Sequence, residues 1–149
     1  MALIVRAARA DDLPAMLALY RQLNPNDPPA GADAAAAAWG ALIGNPGTTV
    51  FVADVDNIPV SSCTLVIIPN ITRGARSYAL IENVVTDAAH RRKGLARSLL
   101  AAALDAAWGA GCYKVMLASG SRQEATLRFY EGAGFERGGK TFFQARAAG

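Results

Sequence analysis

The sequence predicts an α/β (α+β) protein built on a mixed, mostly antiparallel central sheet flanked by helices. Three observations carry that expectation. Val-, Ile- and Thr-rich runs of strand character are interspersed with runs of helical period along the 149 residues. Asp56-Asn57 separates two such strand runs as a hairpin turn would. A strand–helix–strand series occupies Tyr78 to Ala118, which makes that part of the sheet parallel. No repeat and no long linker interrupts the chain, so a single domain over residues 1–149 is expected.

LIVRAA (Leu3–Ala8) is the first strand. Asp11 is placed to cap a helix in which Pro14 falls early, where its missing N–H is tolerated. Leu13, Met16, Leu17, Leu19, Tyr20 and Leu23 then recur at helical spacing up to Asn24. NPNDPPAG (Asn24–Gly31) is loop chemistry, and the alanine-rich stretch Asp33–Ile43 is a second helix closed by Gly44, Asn45 and Pro46. TTVFVADV (Thr48–Val55) and IPVSSCTLVII (Ile58–Ile68) are the hairpin strands. Pro69–Ser77 is a polar connection containing Arg73, Gly74 and Arg76, and YALIENVVT (Tyr78–Thr86) is the next strand. A helix follows from near Gly94 to about Trp108, then strand YKVMLA (Tyr113–Ala118) and a helix from Gln123 to about Gly132. FERGGKTFFQARA (Phe135–Ala147) should close the chain as a hairpin around Gly138-Gly139. Trp39, Trp108, Phe129 and Phe135 are most simply core.

Composition narrows the function. With 52% hydrophobic residues the chain can bury a core, and disorder is not expected. Lys+Arg number 15 against 12 Asp+Glu, a balance that calls for no nucleic acid but allows a local basic patch facing a small anion. Arg6 and Arg9 interrupt the N-terminal apolar residues before a secretory signal could form. The charge-free tract Ala34–Gly44 falls well short of the ~20 residues a membrane helix needs. Cys63 and Cys112 stand apart from any CxxC or His pair, so neither a disulfide framework nor a metal site is suggested. A soluble cytoplasmic protein with no metal and no membrane partner is the natural reading.

One stretch points to chemistry. HRRKGLARSLL (His90–Leu100) crowds Arg91, Arg92 and Lys93 before Gly94 at the mouth of an amphipathic helix. A helix start already carries partial positive charge and unpaired N–H groups, so added cations make sense if an anion sits there. Gly94 lets such an anion approach the main chain, and backbone N–H groups from about Arg92 to Arg97 could point at phosphates. Neither GxxxxGK[ST] nor GxGxxG is present. Taken alone, the run reads equally well as a solvated basic helix start.

Further residues remove that ambiguity. Arg91-x-x-Gly94-x-Ala96 after a strand resembles the Arg/Gln-x-x-Gly-x-Gly/Ala motif of the GNAT superfamily of acetyl-CoA-dependent N-acyltransferases. ATLRFYEGAGFE (Ala125–Glu136) resembles that family's second motif, a tyrosine-bearing helix followed by glycine-phenylalanine. The element order matches as well, so the resemblance covers nearly the whole chain and implies the GNAT-type acyl-CoA N-acyltransferase fold.

The resemblance assigns roles. The anion becomes the pyrophosphate of coenzyme A, held by Arg91, Arg92, Lys93, Gly94, Leu95, Ala96 and Arg97, with acetyl-CoA as acyl donor. The pantetheine arm would run along the preceding strand and pair with the main chain of Val84 and Val85. Tyr130 maps onto the tyrosine that protonates the departing thiolate in many members; a phenol near pKa ~10 can donate to a thiolate whose acid lies near ~8.5. Without that context a tyrosine on an amphipathic helix reads as core. Glu82 lies on the strand where the family often places a carboxylate. It is either a base, direct or through water and helped by burial, or an ordinary strand-face or arginine-paired glutamate. His90 reads as a loop residue and Cys112 as space-filling, since no base neighbours it.

The implied activity is direct transfer of acetyl from acetyl-CoA to a primary amine of a small molecule or peptide. IENVV followed by GCYKV is also similar to the glucosamine-6-phosphate N-acetyltransferase branch. That branch typically has an aspartate just beyond the GCYK strand, where LASGS (Leu117–Ser121) offers no carboxylate. Arg73 and Arg76 could meet an anionic acceptor or simply solvate a loop. A CoA-binding sensor or scaffold without turnover is the alternative from another class. Nucleic-acid binding is disfavoured, because the basic run is short and no aromatic residues interleave it. The closing FFQARA strand could pair across a homodimer interface.

Overall fold

The computed structural model describes residues 3–148, in two compact units that divide between Leu117 and Ala118. The first unit holds a five-stranded sheet in the order β1-β2-β3-β4-β5. Its strands are β1 (Leu3–Ala7), β2 (Thr48–Val55), β3 (Ile58–Ile68), β4 (Tyr78–Thr86) and β5 (Val115–Met116). Neighbours from β1 to β4 run antiparallel, while β4 and β5 are parallel. Helices α1 (Leu13–Leu23) and α2 (Ala32–Gly44) precede β2, the single turn α3 (Thr72–Ala75) joins β3 to β4, and α4 (Leu95–Gly109) makes the crossover to β5. The expected mixed sheet with flanking helices is therefore present.

Local chemistry explains the boundaries. Asp56 and Asn57 sit at φ 53 and 68, the left-handed pair that a two-residue type I′ hairpin requires. α1 begins one residue later than Asp11 would dictate: a short turn Ala10–Asp12 intervenes, and the carboxylate that takes the Arg9 N–H belongs to Asp12, at 2.7 Å. β5 is shorter than the run Tyr113–Ala118, because its pairing with β4 stops at Leu80↔Met116.

The faces of the sheet carry different helices. Met16 and Leu19 of α1, Trp39 of α2, and Val50, Val52 and Val85 form one buried cluster. On the opposite face α4 packs against β3, where the buried Cys63 thiol points at the Leu99 carbonyl, 3.9 Å away. Trp108, expected in the core, is instead 50% exposed near the end of α4.

Beside the α1 start, the Arg6 guanidinium joins two buried carboxylates. Its Nε donates to Asp54 at 2.6 Å, and its terminal nitrogens donate to both oxygens of Asp12 at 2.8 and 2.9 Å. Arg6→Ala would leave Asp12 and Asp54 enclosed without their cation, and should lower stability by ~3–5 kcal/mol in chemical denaturation. The Arg6 hydrogen bond, ahead of every other cause, holds the Asp12 carboxyl below the usual carboxylate range. That contribution is complete above the ordinary carboxylate value and is lost as pH falls through the depressed folded value. The gap between wild type and Arg6→Ala should therefore narrow on acidification.

The second unit contains α5 (Glu124–Gly132) and no strand among the described residues. The hairpin expected over Phe135–Ala147 does not form within the chain. Phe142 and Phe143 are 66% and 85% exposed, so nothing else in the chain buries the run that suggested a strand.

Candidate functional site: an open strand edge and a helix start

β4 carries the irregularity on which the site depends. Its register with β3 runs Thr64↔Glu82 and then Ser62↔Val85, so two steps along β3 oppose three along β4. The extra residue is accommodated with Asn83 at φ 53, a β-bulge in the left-handed region that asparagine tolerates better than most residues. Glu82 and Val85 would face opposite sides of a regular strand. The bulge brings both to the side of α1 and α2, with Val85 in the buried cluster and Glu82 across from Thr64. β5 pairs with β4 only at Ala79 and Leu80. From Ile81 onward the β5 side of β4, including Val84 and Val85, has no strand neighbour among the described residues.

That edge leads into the basic turn. Asp87 follows β4 and accepts the Ala89 N–H at 3.1 Å, while His90 Nδ1 lies 3.0 Å from the same carboxylate oxygen. Gln22 of α1 donates to the other oxygen at 2.6 Å. The Gln22 bond first, and His90 second, hold the Asp87 carboxyl below its ordinary range. Arg91 folds back, its Nε donating to the Thr86 carbonyl at 3.4 Å. Arg92 and Gly94 then adopt φ 64 and 75, both left-handed, immediately before α4.

Gly94 is the residue at the helix mouth, and no side chain caps it. The N–H groups of Leu95 and Ala96 therefore open outward from the first turn. Beyond its chain neighbours, a Cβ built on Gly94 would meet no protein atom within 4 Å, so space at the helix mouth is open. Arg92, Lys93 and Arg97 are exposed. Structure thus brings Arg91 to Arg97 together as the sequence suggested, and sets them at the end of the open β4 edge.

Other candidates fare differently. Glu82 is exposed, so the burial expected to help it act as a base is absent. His90 is held against Asp87, as expected of a turn residue. Arg73 stacks over the Tyr113 ring at 5.6 Å and Arg76 donates to the Cys112 carbonyl at 3.3 Å. Both lie before the start of β4, at the end opposite the basic turn. Burial pushes the Cys63 thiol up to about 12 and raises that of Cys112. Native protein should accordingly resist alkylation at neutral pH, both thiols reacting only after denaturation; rapid labelling of the native state would contradict this.

The sequence did not disclose the bulge, the Gln22 contact or the environment of Tyr20. The Tyr20 hydroxyl is enclosed beside that of Thr64 without closing a hydrogen bond of normal geometry, and desolvation raises its pKa. An asparagine inside a Val-rich strand was the available signal for the bulge.

In the second unit, Tyr130 lies on α5, half-buried between Phe129 and Phe135, with ring centroids 5.1 and 6.4 Å away in edge-on contacts. The Phe135 N–H donates to the Tyr130 carbonyl at 3.1 Å, and Gly134 reaches φ 105, so FYEGAGF folds tightly around the tyrosine. Arg137 pairs with Glu124 and Glu131 at 2.7 and 3.3 Å. Among the described residues no three His, Cys, Asp or Glu side chains gather as a metal site, and no helix is long and apolar enough to cross a membrane.

An unpaired strand edge ending at an uncapped, glycine-led helix defines a protein suited to an extended ligand with an anionic end. Residues 13–135 match the Acetyltransferase (GNAT) family, and the chain belongs to that family. It is 40% identical over 88 residues to a glucosamine 6-phosphate N-acetyltransferase of Trypanosoma brucei brucei, a match spanning 59% of this chain and 58% of that relative. The structure of a provisional acetyltransferase from Agrobacterium tumefaciens str. C58 superposes with a TM-score of 0.92 at 47% identity, covering 97% of this chain and 99% of the other. A Trypanosoma brucei acetyltransferase structure gives a TM-score of 0.83 at 30% identity, covering 97% and 100%.

Proposed function

We propose that this chain transfers acetyl from acetyl-CoA directly to the primary amine of a small molecule. The observation that carries the reading is the continuity of the open β4 edge with the Gly94-led start of α4. Pantetheine amides would pair with the main chain at Val84 and Val85 as an added strand does. The pyrophosphate would lie on the N–H groups at Gly94, Leu95 and Ala96, with Arg91, Arg92, Lys93 and Arg97 contributing charge.

The reaction needs little else from the protein. The acceptor nitrogen attacks the thioester carbonyl, a main-chain N–H near Val84 or Val85 meets the oxyanion, and the C–S bond breaks. Tyr130 donates its proton to the leaving thiolate, a role supported by its sequence motif. Glu82, through water, takes the proton that the amine sheds. An amino sugar or its phosphate is a reasonable acceptor class in view of the trypanosomal relative's name, although LASGS lacks the carboxylate typical of that branch.

Release of free thiol from acetyl-CoA tests the reading directly. Pools of amino sugars and their phosphates, polyamines, aminoglycosides, amino acids and peptides would serve as acceptors. Acceptor-dependent release in one pool is expected. Tight CoA binding with silence in every pool would favour a sensor or scaffold instead.

A further inference from the structure

We propose that Gln22 is a positioning residue for the CoA-receiving turn: its carboxamide clamps α1 to Asp87 and Ala88 and so fixes where that turn begins. The inference rests on the acetyl-CoA reading above. Gln22 lies 65 and 66 residues from these partners in sequence, so the clamp is purely tertiary. It uses both ends of the amide. Nε2 donates to Asp87 at 2.6 Å, and Oε1 accepts the Ala88 N–H at 2.9 Å.

No other side chain of that reach offers a donor and an acceptor side by side. Asp87 is in turn anchored to the sheet, its own N–H donating to the Val60 carbonyl at 2.8 Å, and its carbonyl accepts the His90 N–H at 2.8 Å. The residue that launches the basic turn is therefore held from two sides, by β3 through its main chain and by α1 through its side chain. The clamp also restrains a carboxylate that stands four residues before Arg91, close in sequence to the proposed anion site. α1 also carries Tyr20 beside Thr64, the β3 residue opposite Glu82, so the same helix packs on the sheet face and tethers the turn.

The test is CoA affinity by calorimetry, with acetyl-CoA KM and kcat alongside, for Gln22→Met, Gln22→Glu and the pair Gln22→Glu/Asp87→Asn. Gln22→Met keeps length and loses both bonds, and should weaken CoA by roughly 3–10-fold, raising KM with kcat little changed. Gln22→Glu should be worse, since two carboxylates then face each other. The double variant should recover: the introduced carboxylate accepts from Ala88 and from the introduced amide, whose oxygen still accepts from Ala89. Wild-type affinity in both single variants, or a double variant no better than Gln22→Glu, would overturn the clamp. A wild type that binds no CoA would instead sink the acetyl-CoA reading, and the clamp's proposed role with it.

Discussion

Tyr130→Phe is expected to lower turnover by ~10²–10⁴ while acetyl-CoA affinity stays close to wild type. Removing only the hydroxyl preserves the aromatic ring, whose edge-on contacts with Phe129 and Phe135 hold α5 against the following turn. Those contacts survive the substitution, and thermal unfolding of the variant establishes whether the fold does too, so that a fall in rate can be read as chemistry. The proposed task is specific to the transition state, where charge builds on sulfur as the C–S bond lengthens. A lost proton donor should therefore reduce kcat and kcat/KM together and leave ground-state binding alone. Thiol release under saturating acetyl-CoA, with affinity measured separately, distinguishes the cases. Undiminished turnover would remove Tyr130 as the acid, whereas parallel loss of rate and CoA binding would mark a general structural defect.

Strands bounded by strong local punctuation were legible in the sequence. β2, β3 and β4 run as their residues indicate, because Asp56-Asn57 fixes the first hairpin and polar segments flank Tyr78–Thr86. The basic turn was legible for the same reason, since Gly94 and its neighbours encode a local backbone requirement. The Asn83 bulge was not, because register is a relation between two strands. Nothing in IENVV alone states that Val85 must oppose Ser62. The closing hairpin failed for a related cause: Gly138-Gly139 supplies a turn, but nothing within the chain buries Phe142 and Phe143. Gln22 shows the same limit at the site, its two partners lying beyond any local window.

The second large effect is expected at Gly94. Its φ of 75 lies in the left-handed region, where an L side chain costs roughly 1–2 kcal/mol. Gly94→Ala must either hold that strained backbone or relax the turn between Arg92 and α4. Protein atoms would not object, because nothing lies within 4 Å of the added Cβ. The methyl would instead enter unfilled space at the mouth of α4, the region where the pyrophosphate is proposed to sit. Backbone strain alone, if met by relaxing the turn, corresponds to a roughly 5–30-fold loss of CoA affinity, and obstruction of the anion adds to it. Gly94→Val should be worse, since a β-branched residue resists positive φ more strongly. Calorimetric titration with CoA, paired with thermal unfolding of the unliganded variants, separates the two contributions. A modest fall in stability with a steep loss of affinity would place the anion at the α4 start. Unchanged affinity would require a different seat for the pyrophosphate, and would leave the cationic run Arg91–Lys93 as an ordinary solvated helix mouth.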